Sequence, residues 1–499
     1  MIFMEIVVRY SDFGAIGDGV VNDFAAIKAA HDYANEKGLP VEGQAGKTYR
    51  LGENGTESII IKTDTLWVGC AFILDDSDIP YDAPSRTTDL FIVKSDYAKT
   101  KLEGIGSLKM TDTNIGVKIG HPALLHIVND KQRRYIRNGL NVDNGDAQRE
   151  IILVDADGNI DPSTPLSWDY DEVTSATVIR IDDKPVDING GHFIRWANHA
   201  PNEYYYYARG INVMRSNVTI RNFDHKMIKE GETRSPYQGF IRSNEANNLK
   251  LENGIVRAHK HYYRKDPGGF NLLGSYEINF YACNNITMKN LYQPNMYEDD
   301  DVTIVFKGEM GSNYCRNFFL DGCHLSSFDS HKASGNITIV NSEIEHINCI
   351  GHGHVHIENT IIQMGPKPEI MTLRGDYGCR WSGTAYIKDV TLSSPKENQD
   401  FSLMAGYGAW DNWDFGYETC MPHTIVLSDV KTSGGRPLYV FARYIEKYGD
   451  VSQPTLPDGT ENKNPYKPVE RVIIESNKYN TPIIVNDTPL FKNVEIITK

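Results

Sequence analysis

The sequence predicts an all-β solenoid of parallel coils with a capping α-helix near its start, and three observations lead there. Eight short segments alternate apolar and polar residues and close on Asn, Asp or Gly. A helical pattern precedes them, from Asp23 to Lys37. Asn-Gly and Asp-Gly hairpin signals are too few, at this spacing, for the strands of a β-sandwich.

Taken in order, Met1 to Arg9 has no basic start and no long apolar run, and Glu5 interrupts it. It reads as a first strand rather than a signal peptide. The chain is therefore expected in the cytoplasm, or secreted with a leader removed. No segment approaches the roughly 18 apolar residues of a membrane span. Asn22 or Asp23 stands where the helix cap belongs, and Phe24, Ile27, Ala30, His31 and Ala34 recur at helical spacing. Gly38 ends the helix and Pro40 blocks its return.

The eight repeat segments close at Asn222, Asn253, Asn290, Gly322, Asn341, Asn359, Asp389 and Asp429. Alternation marks strands with one buried face. Asn, Asp and Gly tolerate the left-handed backbone of a sharp corner. Positions 322, 341 and 359 are one coil apart if coils hold about 20 residues, and the wider intervals carry loops. One region departs from this: Ile151 to Asp161 around Asp157-Gly158, followed by Ala176 to Ile181, reads as a β-hairpin insertion. The expected organisation is a cap over 1–55, coils over 56–445 with an insertion near 150–182, and a loop with final strands over 446–499.

The run DFGAIGDGVVNDFAAIKAAHDYANEKG, followed by V-x-G-x-A-G-x-T-Y, resembles the start of the pectate-lyase-like superfamily. Polygalacturonases, polysaccharide lyases, epimerases and phage tailspikes belong to that group. The resemblance implies a right-handed parallel β-helix whose open end this segment covers, and a function on carbohydrate.

The formal net charge of -15 argues against nucleic acid as a partner. A local basic cleft would still accept an acidic polysaccharide. The seven cysteines form no Cys-x-x-Cys pair and are read as buried free thiols.

The candidate chemistry lies in one column: Glu309, Asp329, His331, His352, Arg374 and Asp376, with Tyr377 and Arg380 just beyond. Positions 309 and 331, 329 and 352, and 352 and 374 are 22 or 23 residues apart, so coils of that length would stack them on one face. Inverting hydrolysis needs two carboxyl groups roughly 6.5–9.5 Å apart, and adjacent coils lie about 4.8 Å apart. Arg374 suits a sugar carboxylate held bidentately, and the histidines can tune or orient the carboxylates. The column also resembles the site of polygalacturonases (glycoside hydrolase family 28). Gly351-His352-Gly353 matches the family's G-H-G, and Asp329 and Arg374 fall near its D-D and R-I-K, while its N-T-D has no counterpart. His356, between Val355 and Ile357, is assigned to solvent.

A second group, His259, Lys260, His261, Tyr262, Tyr263, Arg264 and Lys265, mixes bases and aromatics suited to an anionic sugar chain. Tyr204 to Tyr207 and the loop from Trp410 to Trp413 are further aromatic platforms. Glu298 to Asp301 concentrates oxygen donors for calcium, but a solvated acidic turn is the preferred reading. Asp155 to Asp161 mimics an EF-hand loop, but Ile160 stands where glycine belongs and Leu166 where glutamate belongs.

These readings lead to a carbohydrate-active enzyme with no required cofactor. The first hypothesis is a glycoside hydrolase using Asp329 and Glu309, supported by His331, His352 and Arg374. Asp376, Tyr377, Arg380, His259, His261, Arg264 and Trp410 are its candidate substrate contacts. A polysaccharide lyase and a non-catalytic, tailspike-like glycan binder are the alternatives. A polysaccharide or oligosaccharide is the expected partner, with neither nucleic acid nor membrane; the oligomeric state stays open.

Overall fold

In a computed structural model the described residues are 6–139, 144–257, 259–260, 262–267, 269–294, 305–306, 309–363, 369–394, 400–405, 413–442, 450–456, 458–485 and 488–499. The side chains of residues 305, 306 and 309 fall outside the description. The chain divides into two compact units. The first comprises Met1–Ala98, Ile181–Cys283 and Thr287–Gly311, and the second Lys99–Arg180, Asn284–Ile286 and Ser312–Lys499.

In the first unit the helix spans Phe24–Lys37 and ends on Gly38, whose φ of 65° permits its N–H to reach the Ala34 carbonyl. The two candidate caps divide the work. Asn22 Oδ1 accepts the Phe24 N–H at 3.2 Å, while the buried Asp23 carboxylate accepts the N–H groups of Ile16 and Gly17 at 2.7 and 3.2 Å. Asp23 thus pins the glycine-rich segment to the helix start. Parallel strands then stack coil on coil. Ile59, Phe91, Ile211, Ile241 and Ile278 are successive register partners, each buried. Removing a side chain from such a column costs roughly 2–5 kcal/mol, because the neighbouring coils cannot close over the void.

The second unit repeats the scheme. Phe318, Ile337, Val355, Ala385, Ile425 and Val472 form one buried column, and Phe328, Ile347, Met371, Met404 and Phe441 another. These numbers show coils of very unequal length, with loops absorbing the difference.

All eight expected corners carry positive φ, from 47° at Asn359 to 65° at Gly322. Asparagine amides continue the ladder between coils: Asn253 donates to Asn222 and Asn222 to Asn189 in the first unit. In the second, Asn359 donates to Asn341 and Asn341 to Asp321. All seven cysteines are buried free thiols. His356 is half-exposed, 2.9 Å from Glu358, as its alternation implied.

The insertion is larger than a hairpin over 150–182. It is a four-stranded antiparallel sheet of Thr100–Leu102, Ala123–Arg134, Asp146–Val154 and Ser175–Arg180, within the second unit. Leu125, Ile127, Ile152, Tyr170 and Val178 give it a core of its own. Gly158 does lie at the expected turn, where a side chain would strike the Val117 carbonyl.

Candidate active site

The charged cluster around Asp329 is built on consecutive coils of the second unit. Asp329 lies in strand His324–Lys332 and pairs in register with Asn348, which pairs with Thr372. Arg374 follows that last strand, and the turn Gly375–Tyr377 closes after it.

Asp329 is only 6% exposed and has three partners. His331 Nε2 lies 2.6 Å from its Oδ2, and Arg374 Nη1 and Asn348 Nδ2 donate to its Oδ1 at 3.0 and 2.9 Å. Arg374 extends the array by donating through Nε and Nη2 to Asp376 at 3.1 and 2.9 Å. Arg137, from the insertion, meets Asp376 at 2.9 Å. Beside them Asp146 accepts from Tyr314 and Lys332 at 2.5 and 2.6 Å. The Tyr377 ring lies 5.0 Å from the Arg137 guanidinium and 5.6 Å from that of Arg374, within cation–π range.

Electrostatics fix the protonation of this group. Burial by itself would raise the pKa of Asp329, but its hydrogen bond to His331 and the nearby charges of His331 and Arg374 outweigh it and hold the value below the ordinary one. Asp329 is therefore a permanent carboxylate at neutral pH. Burial likewise opposes ionisation of Tyr377 and Tyr314, which stay protonated.

The expected column separates into two clusters. Asp329, His331, Arg374, Asp376 and Tyr377 come together. His352 does not join them, because its strand neighbours in register are Gly335 and Ser382, on a different sheet of the coil. A spacing of 23 residues returns to the same face only if each coil has that length, and the coil from Asp329 to Asn348 is shorter. His352 instead lies 2.9 Å from Ser167 Oγ, which accepts from Arg316, itself paired with buried Glu150. Burial, then the charges of Arg316 and Arg380, hold the His352 pKa well below its usual range, so the ring is neutral. Arg380 packs its guanidinium 4.8 Å from the Trp168 ring.

The basic-aromatic run belongs to the first unit and does not lie on the surface as one loop. His259 is fully buried, 3.1 Å from Arg234 and 3.5 Å from Glu277. Burial, with the Arg234 charge, pushes its pKa down to about 3. An apolar position was indistinguishable from a basic one in that run. Arg264 is half-exposed, paired with Glu203 and Asp266 beside the Tyr204 ring. His261, Trp410 and the acidic run Glu298 to Asp301 lie outside the described residues, as does the Glu309 side chain.

Sequence reasoning missed Asn348, which a 19-residue step from Asp329 locates. It also missed Arg137, Asp146, Glu150 and Ser167; these come from the insertion, and nothing in their spacing announces them. Among the described residues no group of three or more His, Cys, Asp or Glu is placed to hold a metal ion. No described helix is long and apolar enough to cross a membrane.

The architecture is the right-handed parallel β-helix with an N-terminal capping helix, the fold that the opening segment's resemblance implied. Among solved structures, the tailspike protein gp49 from Pseudomonas phage LKA1 matches at a TM-score of 0.54 and 13% identity, over 98% of this chain and 84% of that one. The Gp54 tailspike of Acinetobacter baumannii bacteriophage AP22, solved with a capsular saccharide, gives 0.46 and 10%, covering 98% and 79%. The Yersinia enterocolitica family 28 exopolygalacturonase gives 0.36 and 13%, covering 95% and 78%. At 13% identity the likeness to gp49 is one of fold alone. No family model and no curated protein matches the chain.

Proposed function

We propose that this chain is a carbohydrate-active enzyme that cleaves glycosidic bonds in a polysaccharide or oligosaccharide containing acidic sugars, by acid/base hydrolysis at the Asp329 cluster. The observation that carries this reading is the 2.6 Å contact between His331 and a permanently ionised Asp329, beside an Arg374 shared with Asp376. Asp329 is unsuited to be the general acid, because its cationic partners keep it deprotonated. Its role is to orient His331, which delivers a proton to the leaving oxygen. Asp376, more exposed than Asp329, is the carboxylate that takes a proton from the attacking water. Tyr377 offers a ring face to the sugar.

A second reading, β-elimination, draws on the two guanidinia of Arg137 and Arg374 at one site. There they would neutralise a uronate while His331 removes the adjacent proton. Polygalacturonate, alginate and other acidic polymers, assayed for both reducing ends and ultraviolet absorption, separate the two. Reducing ends without absorption support hydrolysis, and absorbing products support elimination. Full activity of both His331→Ala and Asp376→Asn would sink the site assignment.

A further inference from the structure

We propose that two copies of this chain associate through the free edge of strand Glu495–Thr498, paired antiparallel about a two-fold axis at Ile497. The strand runs parallel to Arg471–Ser476, with Glu495 beside Arg471 and Thr498 beside Ile474. Among the described residues no strand pairs with its other side. Its approach is anchored: Leu490, Phe491 and Val494 are buried, and the Phe491 ring stacks on Phe441 with centroids 3.6 Å apart.

Backbone direction decides what the edge offers. The N–H groups of Glu495 and Lys499 donate to the carbonyls of Glu470 and Ile474, at 2.9 and 3.0 Å. Alternation along the strand therefore turns the N–H and C=O of Ile496 and Thr498 away from that neighbour, towards the open side. Unpaired groups of this kind are a template for a further strand. The side chains point the same way. Ile496 continues the column that runs through Ile425 and Val472, both fully buried, yet is itself 46% exposed.

Charge selects the occupant. The run Glu495-Ile496-Ile497-Thr498-Lys499 carries opposite charges at its two ends. Among the described residues Glu495 makes no ion pair, and Lys499 meets only the exposed Glu475, at 2.8 Å. A second copy laid antiparallel, with Ile497 opposite Ile497, sets each Glu495 opposite the other copy's Lys499. The same register sets Ile496 opposite Thr498, so the backbone groups that face outward meet as hydrogen-bonded pairs. Glu495 and Lys499 then occupy the closer, non-hydrogen-bonded positions. A shift of one residue would aim the outward groups of one strand at residues that face inward on the other. A parallel copy in the same register would bring like charges together.

The test is sedimentation velocity of the full chain over a range of concentrations, beside Glu495→Lys, Lys499→Glu and the double exchange. The unaltered chain should pass from monomer to dimer as concentration rises. Each single reversal sets like charges opposite each other twice in the dimer and should weaken association about tenfold. The double exchange restores opposite pairing and should return association to within about twofold of the unaltered chain. Thr498→Pro removes an N–H that faces the edge, and should weaken the dimer as well. Thermal unfolding of dilute protein should be unchanged in the charge variants. A chain that stays monomeric throughout, a dimer indifferent to single reversal, or a double exchange as weak as either single would overturn the proposal. The readout is mass, so its outcome is independent of whether the Asp329 cluster cleaves glycan.

Discussion

Each unit presents an aspartate between a histidine and an arginine, and the two constellations differ in burial. In the first, Asp224 keeps 22% of its side chain exposed, with His192 at 39% and Arg257 at 28%. In the second, Asp329 keeps 9%, His331 24% and Arg374 17%. Asn348 adds a third donor to Asp329, and Arg374 continues into Asp376 and Arg137. The same three residue types on a flat outward face make an open patch that water screens. Under an insertion and a loop turn they make a fixed array whose charges feel a lower dielectric.

The sharpest way to break this comparison is at the histidines. His331→Ala should lower turnover by about 10²–10⁴-fold, the usual range for a lost proton-transfer group. His192→Ala should leave turnover on short substrates within about twofold, since it contributes no proton. Stability comes next. Asp329→Ala strands Arg374 with one carboxylate fewer in a buried site and should cost about 3–5 kcal/mol in urea unfolding. Asp224→Ala, on a screened surface, should cost under about 1 kcal/mol.

Acid titration sharpens the contrast further. The folded pKa of Asp329 is depressed. Its stabilisation is complete above the unfolded value of about 3.9 and is lost as pH falls through the lower folded value. Asp329→Asn should therefore flatten the stability curve below about pH 4. The buried His259 of the first unit acts over a different window, with its pKa pushed down to about 3. Below about pH 6.5 the unfolded ring binds a proton that the folded ring refuses, so stability declines from there downward. His259→Gln should flatten that limb and leave the Asp329 limb in place. The smallest expected effect is shared by the two units: Asn222→Ala and Asn341→Ala should each cost about 1–2 kcal/mol in thermal unfolding, because alanine tolerates the left-handed corner poorly. Glycine at either position should recover part of that loss.

Much of the fold was legible because coil corners impose a local rule. Asn253, Asn341 and Asp389 are recognisable where they stand, since few other residues adopt positive φ without strain. The helix start was legible to within the choice between Asn22 and Asp23, and only the packed glycine segment shows why both are needed. The grouping of the candidate residues was half legible. Asp329, His331, Arg374 and Asp376 do meet, yet His352 lies with Ser167 and Arg316, and His259 is inside the first unit.

The sequence alone determined which segments become strands, where the chain turns, and which side chains fill the stack, because alternation and left-handed corners are encoded within a few residues. Tertiary structure alone decided which polar residues stand side by side. Coil lengths vary with the loops, so register is set by hydrogen bonding between whole coils. The insertion then brings Arg137 and Asp146 to residues far along the chain through packing that no spacing records.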